Sequence, residues 1–253
     1  MSTAASAVSS TRQASRPSFY LVMTLVMAFF VFAGFGMTYW IPLASGTFPP
    51  APPVVHLHGL VFSTWMILLV VQATLINFGR VSAHRSLGTY GIAHATAVLF
   101  TGALISVLGW RDLNSLPAEL PPDISFDTLY LSFTAVIGFG LLFTLAIRNV
   151  RNPEVHKRLM LFAILPILPP GVNRFYMVPL GIDTIPVAHL YVTLNAMSLA
   201  ILIQEWRVNG RVAGTSMIGA GYMLLQTMLH VPVSGSQTLL KLSQYIGNLV
   251  YYR

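Results

Sequence analysis

Seven long apolar runs divide this chain, at 19–43, 55–79, 89–110, 129–148, 159–180, 187–206 and 212–231. Each is close to the roughly 20 residues that carry a helix across a hydrocarbon core. The connections are short and hold most of the charge, so the pattern predicts helices joined by hairpins; no stretch shows the strict two-residue alternation of a strand. The fifth run is interrupted by Pro166, Pro169, Pro170 and Gly171. Proline removes a backbone donor and clashes with the preceding turn, so this segment is expected to be either a broken helix or a re-entrant one. The fold class that follows is all-α, a polytopic transmembrane bundle of about seven spans.

The placement of basic residues orients the bundle. Arg12 and Arg16 precede the first run, Arg80 and Arg85 lie between the second and third, and Arg148, Arg151, Lys157 and Arg158 lie between the fourth and fifth. Arg207 and Arg211 follow the sixth. The intervening connections carry no basic residue, or Arg111 against several acids, or Asp183 alone. Positive charge is retained on the cytoplasmic side, which puts the N-terminus inside and the C-terminus outside. Dropping the fifth run would move Arg207 and Arg211 outside, so the alternation supports counting it. Tyr39, Trp40 and Trp110 fall at the expected outer level, and Tyr90 and Trp206 at the inner one.

Three regions follow. Residues 1–17, rich in Ser, Ala and Thr, are expected to form a disordered cytoplasmic tail. Their apolar successor is longer than the roughly 7–15 residues of a signal-peptide core, so it reads as an uncleaved anchor. Residues 18–232 form the transmembrane helical domain. Residues 233–253 place Leu239, Leu242, Ile246, Leu249 and Val250 at helical spacing beside Lys241 and Gln244, as in an amphipathic helix on the outer surface.

Composition narrows the chemistry. Of the 253 residues 55% are hydrophobic and only 8% charged, which fits lipid as solvent. The net charge of +7 sits at the ends of apolar runs rather than on one polar face, so nucleic acid is not an expected partner. There is no cysteine, which excludes disulfides, thiolate metal sites and a cysteine nucleophile. The chain has no Gly-rich phosphate loop, no His-Glu-x-x-His and no Gly-x-Ser-x-Gly.

The topology sorts the seven histidines. His56, His58, His189 and His230 fall near the outer face, whereas His84, His94 and His156 belong to the inner half. Ionisable groups at membrane depth are costly and mark sites, and imidazoles converging from separate helices suit copper, zinc or haem iron. His58, His189 and His230 are therefore the expected metal ligands. His56 stands roughly 200° from His58 on a regular helix and joins them only if the helix unwinds after Pro53. His94 follows Gly88 and Gly91; with His58 it is the expected place for haem b, on opposite sides of the membrane, each haem still lacking a second ligand. Arg174, just past the Pro-Pro-Gly break, is expected to snorkel, to pair with Asp183 or Asp127, or to clamp an anionic group. Trp65 and Gln72 read as packing residues.

The two cytoplasmic turns echo each other. Arg80-x-x-x-His84-Arg85-x-Leu87 and Arg151-x-x-x-x-His156-Lys157-x-Leu159 each place an Arg before a His-basic-x-Leu unit. A duplicated hairpin and two independent helix starts both explain this, the latter with Ser82 and Asn152 as N-caps.

The pattern His56-x-His58-Gly59, Trp65, Gln72, Gly79-Arg80, His84-Arg85-x-Leu87-Gly88 and Gly91 resembles that of bacterial integral membrane proteins of uncharacterised function. Asn152-Pro153-x-x-His156-Lys157-Arg158-Leu159-Met160 resembles a turn in small membrane proteins implicated in assembling haem–copper oxidases. These resemblances imply the bacterial inner (plasma) membrane, and haem or copper biology. Three functions are thus expected: a redox-associated protein binding haem b, copper or zinc at the outer face, an anion or small-molecule transporter or binding protein using Arg174, or a non-catalytic subunit of a respiratory or other membrane complex.

Overall fold

The computed structural model describes residues 17–111, 127–182, 186–234, 236–239, 241, 242 and 245, with backbone alone at 107–111 and 127–129. The tail expected at 1–17 and the amphipathic segment expected at 233–253 lie mostly outside these residues. Among the described residues there is no strand, and the chain is an all-α bundle. Its helices are α1 (Phe19–Phe35), α2 (Ile41–Ser45), α3 (Pro53–Asn77), α4 (Val81–Arg111) and α5 (Asp127–Arg148). They are followed by α6 (Pro153–Ile164), α7 (Pro169–Leu180), α8 (Val187–Asn209) and α9 (Gly214–Ser234).

Local chemistry sets the ends. Ser18 caps α1 by accepting from the Leu21 amide at 3.3 Å, and Asn152 caps α6 by accepting from the Val155 amide at 3.3 Å, with Pro153 and Glu154 in its first turn. The expected cap at Ser82 is not one, because α4 already begins at Val81. Between α1 and α2 the helix continues as a π-helical turn over Gly36–Trp40.

Successive helices run up and down. The Ser18 amide donates to Asn77 at 2.8 Å, joining the start of α1 to the end of α3, and the His84 and His156 rings meet at 6.4 Å, joining the two basic turns. All the basic turns with described residues therefore share one end of the bundle. Lys157 lies over the Tyr20 ring at 4.3 Å while Arg174 lies over the Phe35 ring at 4.6 Å. Tyr20 and Phe35 are separated by about 22 Å of helix. The α6–α7 pair thus travels the length of α1 with a 54° bend, as a broken span and not a re-entrant loop.

Among the described residues, length and composition qualify five helices to cross a membrane, and the bent pair, taken as one span, makes a sixth. The seventh run forms α9 as expected, but Gln226, His230 and Pro232 hold its hydropathy below that of the others. Its burial explains why: Ser216, Gln226, His230 and Ser234 face the bundle while Met217, Leu225, Met228 and Val231 face out. In water that arrangement would leave a wide apolar surface exposed, whereas in lipid it is the low-energy one. The chain is a multi-pass membrane protein.

Candidate functional site

Two breaks in regular helix meet near the end of the bundle opposite the basic turns. One is the π-helical turn Gly36–Trp40, the other the Pro169-Pro170-Gly171 start of α7. They are brought together by glycine: a Cβ on Gly34 would overlap the carbonyl oxygen of Gly171, and one on Gly171 would come within 3.0 Å of the Val31 Cα. Only a bare backbone lets α1 and α7 pack this closely.

This contact places Arg174 against α1. Its Nη1 donates to the Pro170 carbonyl at 3.1 Å and its guanidinium lies on the Phe35 ring, leaving most of its five N–H donors unengaged. Among the described residues no carboxylate pairs with it; Asp183 and the Asp127 side chain are outside that set. His58, on α3, feels the charge of Arg174 and interacts with the backbone of Thr101, with its ring on Phe62 at 4.2 Å. The His58 Nδ1 is buried without a hydrogen-bond partner. A buried ring nitrogen left open is costly unless a polar group meets it.

The other expected ligands go elsewhere. α3 is regular from Pro53 onward, so His56 and His58 diverge: the His56 Nδ1 meets the Tyr39 hydroxyl at 2.9 Å in the π turn. His189 is exposed on the first turn of α8. His230 is fully buried in the seam of α5, α8 and α9, where its Nδ1 bonds the Tyr191 hydroxyl at 2.7 Å and its ring meets Tyr130 at 4.8 Å. The expected grouping of His56, His58, His189 and His230 is thus spread over separate faces, and among the described residues no three His, Asp or Glu gather at metal-holding distance. His94 donates through Nε2 to the Val61 carbonyl at 2.9 Å, which engages the nitrogen a haem iron would take.

Along the same α5–α9 seam runs a groove of about 410 Å³, walled by residues such as Tyr130, Thr134, Tyr222, Gln226 and Leu229. Its walls are almost wholly apolar, and it offers no charge.

Some side chains do more than the sequence indicated. Trp65 packs in the core against Phe139 and Phe143 as expected. Gln72 does not merely pack. With its amide nitrogen toward α4 it donates to the His84 carbonyl at 3.2 Å and His84 Nδ1 at 2.7 Å, and its oxygen accepts from the Gly88 amide at 3.0 Å. The buried pair Arg158 and Glu205, in contact at 3.2 Å, also went unread. The signal was present, since Glu205 is the one acid inside the sixth apolar run.

Compared with protein-family models, with curated proteins and with solved structures, the chain matches none.

Proposed function

We propose that this is a membrane protein that binds a small anion at Arg174, in the outward-facing half of a bacterial plasma membrane bundle. The anion is of carboxylate, phosphate or sulfonate type, because a guanidinium presents its N–H groups as a planar fork that such oxygens match. The observation that carries the reading is Arg174 itself, held on a broken span with most of its donors free and its charge felt at His58, whose Nδ1 is open. A cationic residue within a span is costly, most of all toward its centre. A bound anion offsets that cost, and helix breaks that line polar sites are the usual place for one in transporters.

The test is anion-dependent stabilisation of the purified protein in nanodiscs, with inorganic phosphate and benzenesulfonate as probes. A ligand that binds only the folded state raises Tm in a saturable way. The wild type is expected to show that rise with at least one probe, and Arg174→Ala to lose it. Equal rises in the two proteins would remove the proposal. A Soret band or stoichiometric metal in the wild type would replace it with the redox reading.

A further inference from the structure

The groove of about 410 Å³ along the α5–α9 seam has apolar walls, yet the residues that line it also join the two helices by hydrogen bonds. Three bonds make the crossing. The Tyr130 hydroxyl donates to the Gln226 carbonyl at 2.7 Å, the Tyr222 hydroxyl to the Thr134 carbonyl at 2.5 Å, and the Gln226 Nε2 to the Thr134 hydroxyl at 2.7 Å. The Thr134 hydroxyl in turn donates to the Tyr130 carbonyl at 2.8 Å. Tyr222 is seated against α5 by a glycine, since a Cβ on Gly138 would overlap its ring.

All three hydroxyl hydrogens of this set are placed on carbonyls, so what the set has left to offer is acceptors. The Thr134 hydroxyl gives its hydrogen to Tyr130, so the Gln226 amide faces it with nitrogen and leaves Oε1 over. That oxygen is buried and, among the described residues, has no partner. An amide oxygen in this state is costly until a donor meets it. Depth decides what kind of donor. Gln226 lies well inside α9, about 12 Å from its Ser234 end and about 18 Å from its Gly214 start. Water is scarce at such a depth, and a phospholipid keeps its head group at the membrane surface. A molecule dissolved in the hydrocarbon itself has access, because Phe133, Leu225 and Leu229 wall the groove and are exposed on the outside of the bundle.

We propose that this groove binds a phenol dissolved in the bilayer, an apolar molecule that carries one aromatic hydroxyl. The hydroxyl donates to the Gln226 Oε1. Its ring lies among Tyr130, Phe133 and Tyr222, which suit another aromatic ring edge to face or offset, and its hydrocarbon part meets Leu225 and Leu229. Gln226 is only 2% exposed, so binding uncovers the oxygen by rotation of wall side chains while the bonds between α5 and α9 stay in place. The groove falls within the roughly 300–1,000 Å³ of small-molecule pockets. The inference goes beyond the anion-binding reading of Arg174 and does not depend on it.

The test compares para-nonylphenol with nonylbenzene, which lacks only the hydroxyl, on the full-length protein in nanodiscs. Tm is followed against the mole fraction of each probe in the bilayer, so that partitioning into lipid cancels. The phenol is expected to raise Tm saturably, half-saturating at a mole fraction about tenfold below that of nonylbenzene, the scale of one hydrogen bond. Gln226→Leu removes the acceptor and is expected to bring the two probes level. Leu229→Trp fills the groove and is expected to abolish the saturable rise with Gln226 still in place. Equal half-saturation by the two probes in the wild type would overturn recognition of the hydroxyl, whether or not Gln226→Leu folds. A rise that survives Leu229→Trp unchanged would overturn the groove as the site. Arg174→Ala is expected to respond to the phenol as the wild type does; a response lost there would place the probe at the anion site instead.

Discussion

Arg158 and Arg174 are one residue type in two electrostatic situations, and substitution separates them. Removing Arg158 leaves Glu205 charged and buried, a change worth about 3–5 kcal/mol in comparable pairs, whereas replacing both partners with apolar residues of similar volume is often neutral. Arg158→Ala is therefore expected to lower Tm strongly in detergent, and Arg158→Met with Glu205→Leu to recover most of the loss. A double variant as unstable as the single one would mean that the pair itself, and not the orphaned charge, sets the stability. The histidines divide in the same way. His56 and His230 bond through Nδ1 to tyrosine hydroxyls on neighbouring elements, while the Nδ1 atoms of His58 and His94 are buried without a partner. Sequence could assign the four outer histidines to one depth. It could not assign them to one face, because direction around each helix depends on which neighbour it packs against.

At the scale of elements, the fit of α1 against α7 positions the site. Gly34→Leu is expected to push the two helices apart, to lower Tm and to weaken anion binding, because its side chain meets backbone and not a flexible tip. Thermal unfolding with and without benzenesulfonate checks this; an unchanged protein would show that the approach is not needed. The break in the fifth run was legible in advance from Pro169, Pro170 and Gly171, since proline acts through local geometry. The π-helical turn facing it was not, for Gly36–Trp40 reads as ordinary apolar helix. Such an irregularity shows only once the partner is present, here with Tyr39 directed to His56 and Phe35 beneath Arg174. Likewise the echo of the two basic turns indicated helix starts correctly at Asn152, but the meeting of His84 with His156 needed the bundle.

For the whole molecule, charge alternation predicts a topology that the helix contacts match wherever they are described: basic turns at one end, the Arg174 site toward the other. Reporter fusions at Pro50, Ser82 and Glu119 are expected to read outside, inside, outside; any other order breaks the scheme. The same bundle buries Arg158 and Glu205 as a pair within a largely apolar core and leaves many large apolar side chains on its outer surface. The proposed anion site gains from these surroundings, because a guanidinium set among aromatic rings in a low-dielectric medium attracts an anion more strongly than one in water. The most direct measurement is a calorimetric titration of benzenesulfonate and phosphate into the wild type and Arg174→Ala in matched nanodiscs. A saturable heat at one site per chain in the wild type, absent from Arg174→Ala, is the predicted result. Superimposable isotherms from the two proteins would contradict the account.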